Sequence, residues 1–498
     1  MSSSHVSLLI ILILFSVCVA TGKNLNGYHI PKLGVLRRTV IQDPTRVVRA
    51  FNLSEDFQTL FYNQTLDHFN YRPESYTLFK QKYVVNFKYW GGSNASAPIF
   101  AYLGAEEPID RDIGGFELDN AAQFRALLVY IEHRFYGESI PYGLTLDKAL
   151  SDPNIRGYFS SAQALADYAE ILVHLKQKLN AKYSPIIVIG GSYGGALASW
   201  FRLKYPHVAL GALASSAPIL YFHDIIPQDP YYSVVAKDFL ETSVSCHQTI
   251  RDSWEEIDRV TSEPHGLTKL SNTFRTCRPL QSSSELKEHL IGVYASAAQY
   301  NDPFRRPVEA ICNAIDGAPP KVDILRKIFA GLVADAGNLT CYVNPPSPPS
   351  QTDLGWPWQT CSEMVASYGI TNNTMFQPNP FDLNEFVNDC KRRFGVAPRP
   401  HWASTYYGGH DIELVLHKFA SNIIFSNGLQ DPYSRGGVLK NISDTIVAVY
   451  TTEGSHCLDI LRATEKDPIW LVTQRKIEVE IIRKWITTYY ADLHAFGK

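Results

Sequence analysis

The 498 residues are 45% hydrophobic and 19% charged, globular statistics that at roughly 100 to 200 residues per domain leave room for two or three domains. A formal net charge of -3 and an isoelectric point near 6.6 exclude a sustained basic field for nucleic acid and an acidic, disordered binding arm. Partners must therefore be read from sites.

Val6 to Ala20 is a short, almost wholly apolar run, with small residues for cleavage at Cys18-Val-Ala20 or Ala20-Thr-Gly22, so residues 1–22 read as a signal peptide. The run is shorter than the roughly 20 residues of a spanning helix, and no later stretch reaches that length, which predicts no membrane anchor. Residues 23–50 are polar and basic, with Arg37, Arg38, Arg46 and Arg49 among few apolar anchors. That composition suits a removed propeptide or a loose arm.

Residues 51–220 read as the first part of an α/β domain. From Pro98 onward, apolar runs at Ile99–Leu103, Ala126–Ile131, Ile186–Ile189 and Leu210–Ala214 have the length and continuity of strands buried on both faces of a parallel sheet. Between them Leu165, Tyr168, Leu172 and Leu175 share one helical face, with Ser160 or Ser161 as the cap, giving a βαβ series.

The rhythm stops after Ala214. Residues 221–400 hold six clustered cysteines, the proline-rich Pro345–Pro349 and amphipathic stretches such as Ser284–Ala297, and are read as an inserted, mostly helical cap domain. Cys246, Cys277, Cys312, Cys341, Cys361 and Cys390 suggest disulfides of the oxidising secretory route, and no CxxC or HxxxH spacing there suggests zinc. Sequons at Asn52, Asn63, Asn94, Asn338, Asn372 and Asn441 suit a glycoprotein of the same route, secreted or sent to a vacuole or lysosome. Strand-like runs return at Asn422–Phe425 and Thr445–Tyr450, and a final helix with Ile477, Ile481 and Trp485 on its face closes the second part of the α/β domain, 401–498.

The chemistry centres on Gly190-Gly-Ser-Tyr-Gly194, set after the run Pro185–Ile189 and before the helical run Ala196–Tyr205. This is the context of a nucleophile elbow, where a sharp strand-to-helix turn needs small flanking residues and projects the serine above the sheet edge. No Gly-Lys-Ser/Thr follows and the spacing is not GxGxxG, which argues against a phosphate loop. A serine nucleophile needs a base and a carboxylate to orient it, in the chain order Ser, Asp, His for this fold. Asp431 and His456 each follow a predicted strand, which makes Ser192, Asp431 and His456 the expected triad, with Asp444 and Asp459 as competing carboxylates. The expected oxyanion hole is the Tyr193 N–H together with one from Gly104–Glu107, taken as Ala105. The fold expected is an α/β-hydrolase with a disulfide-containing cap, needing no cofactor and no metal.

Leu66-Asp-His-Phe-Asn70, Glu132-His-Arg-Phe-Tyr-Gly-Glu-Ser139, Gly190–Gly195, Ser215-Ser-Ala-Pro218, Asn427–Pro432 and Glu453-Gly-Ser-His456 together resemble the prolylcarboxypeptidase family of serine peptidases, which includes dipeptidyl peptidase II. The resemblance runs from about Leu66 to the end of the chain. It implies the same triad, a cap over the active site, cleavage next to proline, and bridges Cys246–Cys312, Cys277–Cys341 and Cys361–Cys390. Gln228 stands where a further family cysteine is expected. Relatives carry methionine where Ala196 stands, tryptophan where Tyr433 stands and histidine where Cys457 stands, which places Ala196 and Tyr433 in the implied substrate pocket and marks that pocket as altered.

The expected partners are peptides containing proline, with a homodimer admitted and no nucleic acid. Removal of a C-terminal residue from Pro-X ends is the leading activity, for which Arg134 and Arg435 are candidate cations for the substrate carboxylate. Release of X-Pro from N-termini is the alternative, with Glu106 and Glu107 as candidate partners of the amine. A carboxylesterase and a non-catalytic binding glycoprotein rank below both, because the HGGG loop of lipases is absent and all three triad positions are filled. Cys457 is left over when the six clustered cysteines pair. It is read as an inert, apolar filler, pointing away from His456 as neighbours on an extended loop do.

Overall fold

The computed structural model describes Pro31 and residues 56–345, 348–372 and 374–497. The predicted signal peptide, Asn52 and, Pro31 apart, the segment 23–50 lie outside the described residues. One eight-stranded sheet runs in the order β1 (Phe57–Thr65), β2 (Leu78–Asn86), β4 (Leu127–Ile131), β3 (Ile99–Leu103), β5 (Ile186–Gly191), β6 (Gly211–Ser215), β7 (Ile423–Gly428), β8 (Ile446–Thr451). β1, β2 and β4 pair antiparallel, and every pairing from β4 to β8 is parallel. This is an α/β-hydrolase fold.

Alternation explains why the parallel strands are apolar throughout. Ile99, Ala101 and Leu103 enter a core shared with the helices Ser161–Lys178 and Tyr193–Lys204, while Phe100 and Tyr102 enter a second core under the helices Phe116–Phe124 and Ile469–Ala495. Both faces are covered, so successive side chains are all buried. Ser160 caps its helix, its Oγ accepting from Gln163 N–H at 3.5 Å.

The structure corrects two expectations. The sheet begins at Phe57 rather than near Pro98, because β1 is a half-exposed edge strand and β2 buries polar Gln81 and Lys82. Lys82 Nζ meets Asp110 and Glu138 at 2.7 Å each, and Gln81 bonds Gln64 at 2.8 Å. On the final helix Ile477 is exposed, whereas Trp485 is buried and Ile481 packs against the core as expected, and the buried face also carries Leu471, Gln474, Arg475, Glu478, Ile482 and Ile486.

Between β6 and β7 lie helices that three disulfides tie together, Cys246–Cys312, Cys277–Cys341 and Cys361–Cys390. Closing loops with separations of 66 and 64 residues stabilises by about 4 kcal/mol each in the chain-entropy account. Gln228 is not bridged. Its Oε1 accepts from Phe381 N–H and its carbonyl from Gly369 N–H at 2.8 Å. Asn63, Asn94, Asn338, Asn372 and Asn441 are all exposed. Among the described residues no helix is long and apolar enough to cross a membrane.

Several buried carboxyls give the fold a pH dependence. Burial pushes Glu132 and Glu363 up to about 7 and Asp238 up to about 8. Each folded value lies above the unfolded one, so each group binds its proton more tightly in the folded chain. The stability this gives is complete below the unfolded value and lost as pH climbs through the folded one. His133, lowered by burial to about 4, acts in the opposite sense but only below its unfolded value of about 6.5. We therefore expect the free energy of urea unfolding to fall by a few kcal/mol between pH 6.5 and 8, since a tenfold difference in proton affinity is worth about 1.4 kcal/mol. Glu363→Gln, which keeps the acceptor for Ser161 N–H, should flatten that slope. An unfolding free energy that rises with pH over this range would refute the assignment.

Candidate active site

The carboxyl ends of β3, β5, β7 and β8 converge on one edge of the sheet, and the order β4-β3-β5 puts a change of direction in the strand order there. Open parallel sheets bind ligands at such a crevice. Ser192 follows β5 at φ 60° and ψ -121°, and the helix Tyr193–Lys204 begins at the next residue. A side chain on Gly190 would meet the Gly194 carbonyl at 2.1 Å, and one on Gly195 the Ser215 carbonyl at 2.5 Å. Glycine at both positions lets the helix fold back against β5 and β6.

Asp431 and His456 come from the turns after β7 and β8. His456 Nδ1 lies 2.7 Å from Asp431 Oδ2, and Asp431 Oδ1 accepts from Tyr433 N–H at 2.9 Å. The His456 backbone N–H donates to the Gln299 carbonyl at 3.0 Å, so the end of the inserted helix Ser283–Gln299 fixes the main chain that carries the imidazole. Ser192, Asp431 and His456 are all buried. Burial disfavours the charged imidazole, and the Asp431 carboxylate opposes this by stabilising the imidazolium form. Asp459 is also buried but accepts from Ser215 Oγ–H at 2.6 Å, and Asp444 is exposed, so Asp431 is the carboxylate brought to His456.

Among the described residues Ser192 Oγ and His456 Nε2 have no hydrogen-bond partner, and no direct bond joins them. With Asp431 on Nδ1, the tautomer that donates from Nδ1 leaves Nε2 as the proton acceptor, which is the arrangement a general base requires. Tyr193 is the first residue of its helix, so its N–H has no acceptor within that helix. The loop after β3 abuts it, since a side chain on Gly194 would meet the Leu103 carbonyl at 3.0 Å and Ala105 Cβ at 3.5 Å.

Ala196 lines a small apolar cavity with Trp200, Tyr221, Trp356, Met364 and Tyr368, in which about 20 Å³ remains free. Tyr433 stands beside it. Its ring lies 5.8 Å from Tyr221, 5.0 Å from Tyr231 and 5.5 Å from His456, and its hydroxyl accepts from Tyr368 O–H at 3.2 Å. Sequence reasoning missed this tyrosine cluster, because Tyr221, Tyr231 and Tyr368 belong to three separate segments with no motif between them.

Arg134 is not at the site. Its guanidinium is fully buried, with Nε 2.6 Å from Asp167 Oδ2 and Nη1 donating to the Leu66 carbonyl at 2.8 Å, so it has no freedom to meet a substrate carboxylate. Arg435 is exposed on the turn that carries Tyr433. Glu106 is buried, its carbonyl accepts from Thr352 Oγ1–H at 2.6 Å, and its charge acts on Tyr300, whose ring lies 5.9 Å from His456. Glu107 meets Arg111 at 3.5 Å. Among the described residues no group of three or more His, Cys, Asp or Glu could hold a metal ion.

A profile of the serine carboxypeptidase S28 family matches residues 64–478. The lysosomal Pro-X carboxypeptidase of Homo sapiens is 36% identical over 470 residues, covering 90% of this chain and 92% of that one. The Mus musculus enzyme of the same name is 36% identical over 464 residues, covering 89% and 91%. The prolyl carboxy peptidase like protein 5 of Caenorhabditis elegans is 29% identical over 447 residues, covering 82% and 86%.

Cys457 is buried as expected, but the alternation of an extended loop does not hold and its thiol does not point away from His456, since the two side chains interact. Its backbone is left-handed at φ 57°, with its N–H on Ser216 Oγ at 2.9 Å and its sulfur in the core with Ile189, Leu213 and Ile424. Burial pushes its thiol up, so it stays uncharged at neutral pH. Iodoacetamide should leave Cys457 unmodified in the folded chain and alkylate it on unfolding, as peptide mass spectrometry would read. Rapid alkylation under native conditions would contradict this.

Proposed function

The chain belongs to the serine carboxypeptidase S28 family, and on that premise we propose that it removes the C-terminal residue from peptides ending in Pro-X through an acyl-enzyme. The observation that carries this reading is the Asp431–His456 pair, at 2.7 Å, on the sheet edge that also carries Ser192 on its strained turn. His456 Nε2 takes the proton as Ser192 Oγ adds to the scissile carbonyl, and Asp431 stabilises the imidazolium that forms. The N–H groups of Tyr193 and Ala105 receive the developing oxyanion. His456 then returns the proton to the leaving amine, the Ser192 ester forms, and water hydrolyses it by the same route in reverse. The apolar cavity at Ala196 and the tyrosines around Tyr433 supply the pocket for proline.

Release of X-Pro dipeptides is a second reading, favoured by one observation. A buried carboxylate, Glu106, acts on the Tyr300 ring beside His456 and suits a substrate amine, while Arg134 is committed to Asp167 and leaves Arg435 as the remaining candidate for a carboxylate. Peptides ending in Pro-X and dyes released from X-Pro separate the two. The three disulfides and the lysosomal relatives support a route through the secretory pathway, with a lysosome or vacuole as the destination.

Ser192→Ala should lower kcat about a million-fold with the fold intact. An organophosphonate should label Ser192, and His456→Ala should block that labelling, because the hydroxyl then has no base. Labelling at another serine, or turnover by Ser192→Ala, would remove the mechanism.

Ala196→Trp tests the pocket, since it adds more bulk than the methionine that relatives carry there. With about 20 Å³ free, the longer side chain must displace its neighbours, and overpacking of this kind costs about 1 to 3 kcal/mol. A fall of roughly 10- to 200-fold in kcat/KM for proline substrates is expected, carried mainly by KM. Unchanged kcat/KM would place the proline elsewhere.

A further inference from the structure

A buried chain of hydrogen bonds runs from the elbow into the inserted segment, and each proton in it can be assigned. Gln359 Nε2–H donates to Tyr193 Oη at 3.0 Å, and Gln359 Oε1 accepts from Tyr136 O–H at 2.7 Å. On its other side Tyr193 Oη lies 3.2 Å from His133 Nε2, and His133 Nδ1 lies against the Arg134 carbonyl. A carbonyl can only accept, so Nδ1 carries the hydrogen of the neutral imidazole and Nε2 is bare. The Tyr193 hydroxyl therefore donates to His133 and accepts from Gln359. Burial lowers His133 to about 4, which keeps it neutral above that value. His133, Tyr136, Tyr193 and Gln359 are all buried, so solvent offers none of them another partner.

Gln359 belongs to a helix that meets both halves of the oxyanion hole. On the helix Gln351–Ser362, Thr352, Trp356 and Gln359 recur at i, i+4 and i+7 and share one face. Thr352 Oγ1–H donates to the Glu106 carbonyl at 2.6 Å, one residue from Ala105, and Trp356 lines the cavity at Ala196. Resting on the reading of the Tyr193 and Ala105 N–H groups as the oxyanion hole, we propose that Gln359 is a positioning residue for that hole. Its amide ties the Tyr193 side chain to the inserted helix and thereby holds the Tyr193 N–H in register with Ser192, the residue before it. The amide alone fits this place, because it must accept from one tyrosine and donate to the other. A misplacement of about 1 Å in such a donor costs about 100-fold in rate.

The test uses Gln359→Leu and Gln359→Glu in the full chain, with two readouts from acid to neutral pH: kcat for a Pro-X peptide, and the rate at which an organophosphonate labels Ser192. Gln359→Leu removes both bonds and should lower each readout about 10- to 100-fold at every pH, with KM changed far less. Gln359→Glu makes the loss depend on pH. The neutral carboxyl donates to Tyr193 and accepts from Tyr136 as the amide does, whereas the ionised form can only accept. Burial raises the value at which such a carboxyl ionises. Glu106 acts on Tyr136, Glu363 on Tyr193, and Asp167 and Arg134 on His133, in the wild-type chain as well, so each rate is taken as a ratio to wild type at the same pH. Gln359→Glu should lie within about threefold of wild type at acid pH, fall about tenfold or more as pH rises, and recover on return to acid. It is compared with itself across pH, so it decides the matter even where Gln359→Leu does not fold. A ratio for Gln359→Glu that is the same at every pH would overturn the proposal. Labelling does not depend on the peptide, so a pH-dependent labelling ratio in chains that cleave no proline peptide would uphold the positioning role and count against the exopeptidase reading alone.

Discussion

The backbone of Ser192 is the constraint on which the rest of the site depends. A non-glycine residue at φ 60° and ψ -121° costs about 1 to 3 kcal/mol and persists only where its surroundings over-determine it. Here the helix Tyr193–Lys204 is clasped between the ends of β3 and β6, with Gly194 against the Leu103 carbonyl and Gly195 against the Ser215 carbonyl. Ser192 N–H also donates to that Ser215 carbonyl at 2.8 Å. The strain is offset by packing that any looser turn would lose. Strand order matters for the same reason, because β3 and β6 flank β5 and bring both clasping carbonyls to the elbow.

His456 is held by a different kind of support. His456 follows a strand of the sheet, yet its N–H is satisfied by Gln299, in the inserted segment. Gln299 is itself fixed, its Oε1 accepting from Tyr231 O–H at 2.8 Å and its Nε2 donating to Tyr300 Oη at 3.0 Å. The inserted helices thus help fix the main chain at His456. Their disulfides, by restricting the unfolded chain, keep that support from being lost through local opening.

What could be read from the sequence follows the range of the interactions involved. Strands buried on both faces announce themselves as unbroken apolar runs, and the elbow by its glycines, because steric demands within a few residues decide both. β1 and β2 did not, since Gln64, Gln81 and Lys82 are buried only by virtue of partners brought together in the fold. Arg134 looked like a substrate-binding cation for the same reason. Nothing near it in sequence announces Asp167 or the Leu66 carbonyl. On the last helix, apolar spacing found Ile481 and Trp485 but wrongly added Ile477 and missed Arg475 and Gln474, which are buried on carbonyls of Asp459 and Asn427. The pairing of Asp431 with His456 was legible from chain order, whereas the tyrosines beside it were not.

The two unpartnered atoms at the elbow carry the last step. A buried polar atom without a hydrogen bond costs about 1 to 3 kcal/mol, and Ser192 Oγ and His456 Nε2 both stand in that condition among the described residues. Neither shortfall would be made good by a ground-state peptide that merely filled the pocket. In the mechanism proposed for this site both would be relieved once the hydroxyl proton passes to Nε2 and the oxygen bonds to carbon, because the imidazolium N–H would then face the reacting oxygens. An interaction absent in the ground state and present in the transition state is one that raises kcat rather than only lowering KM. The rigid turn at Ser192 and the doubly anchored His456 have the same consequence, since neither atom can relax toward another partner beforehand.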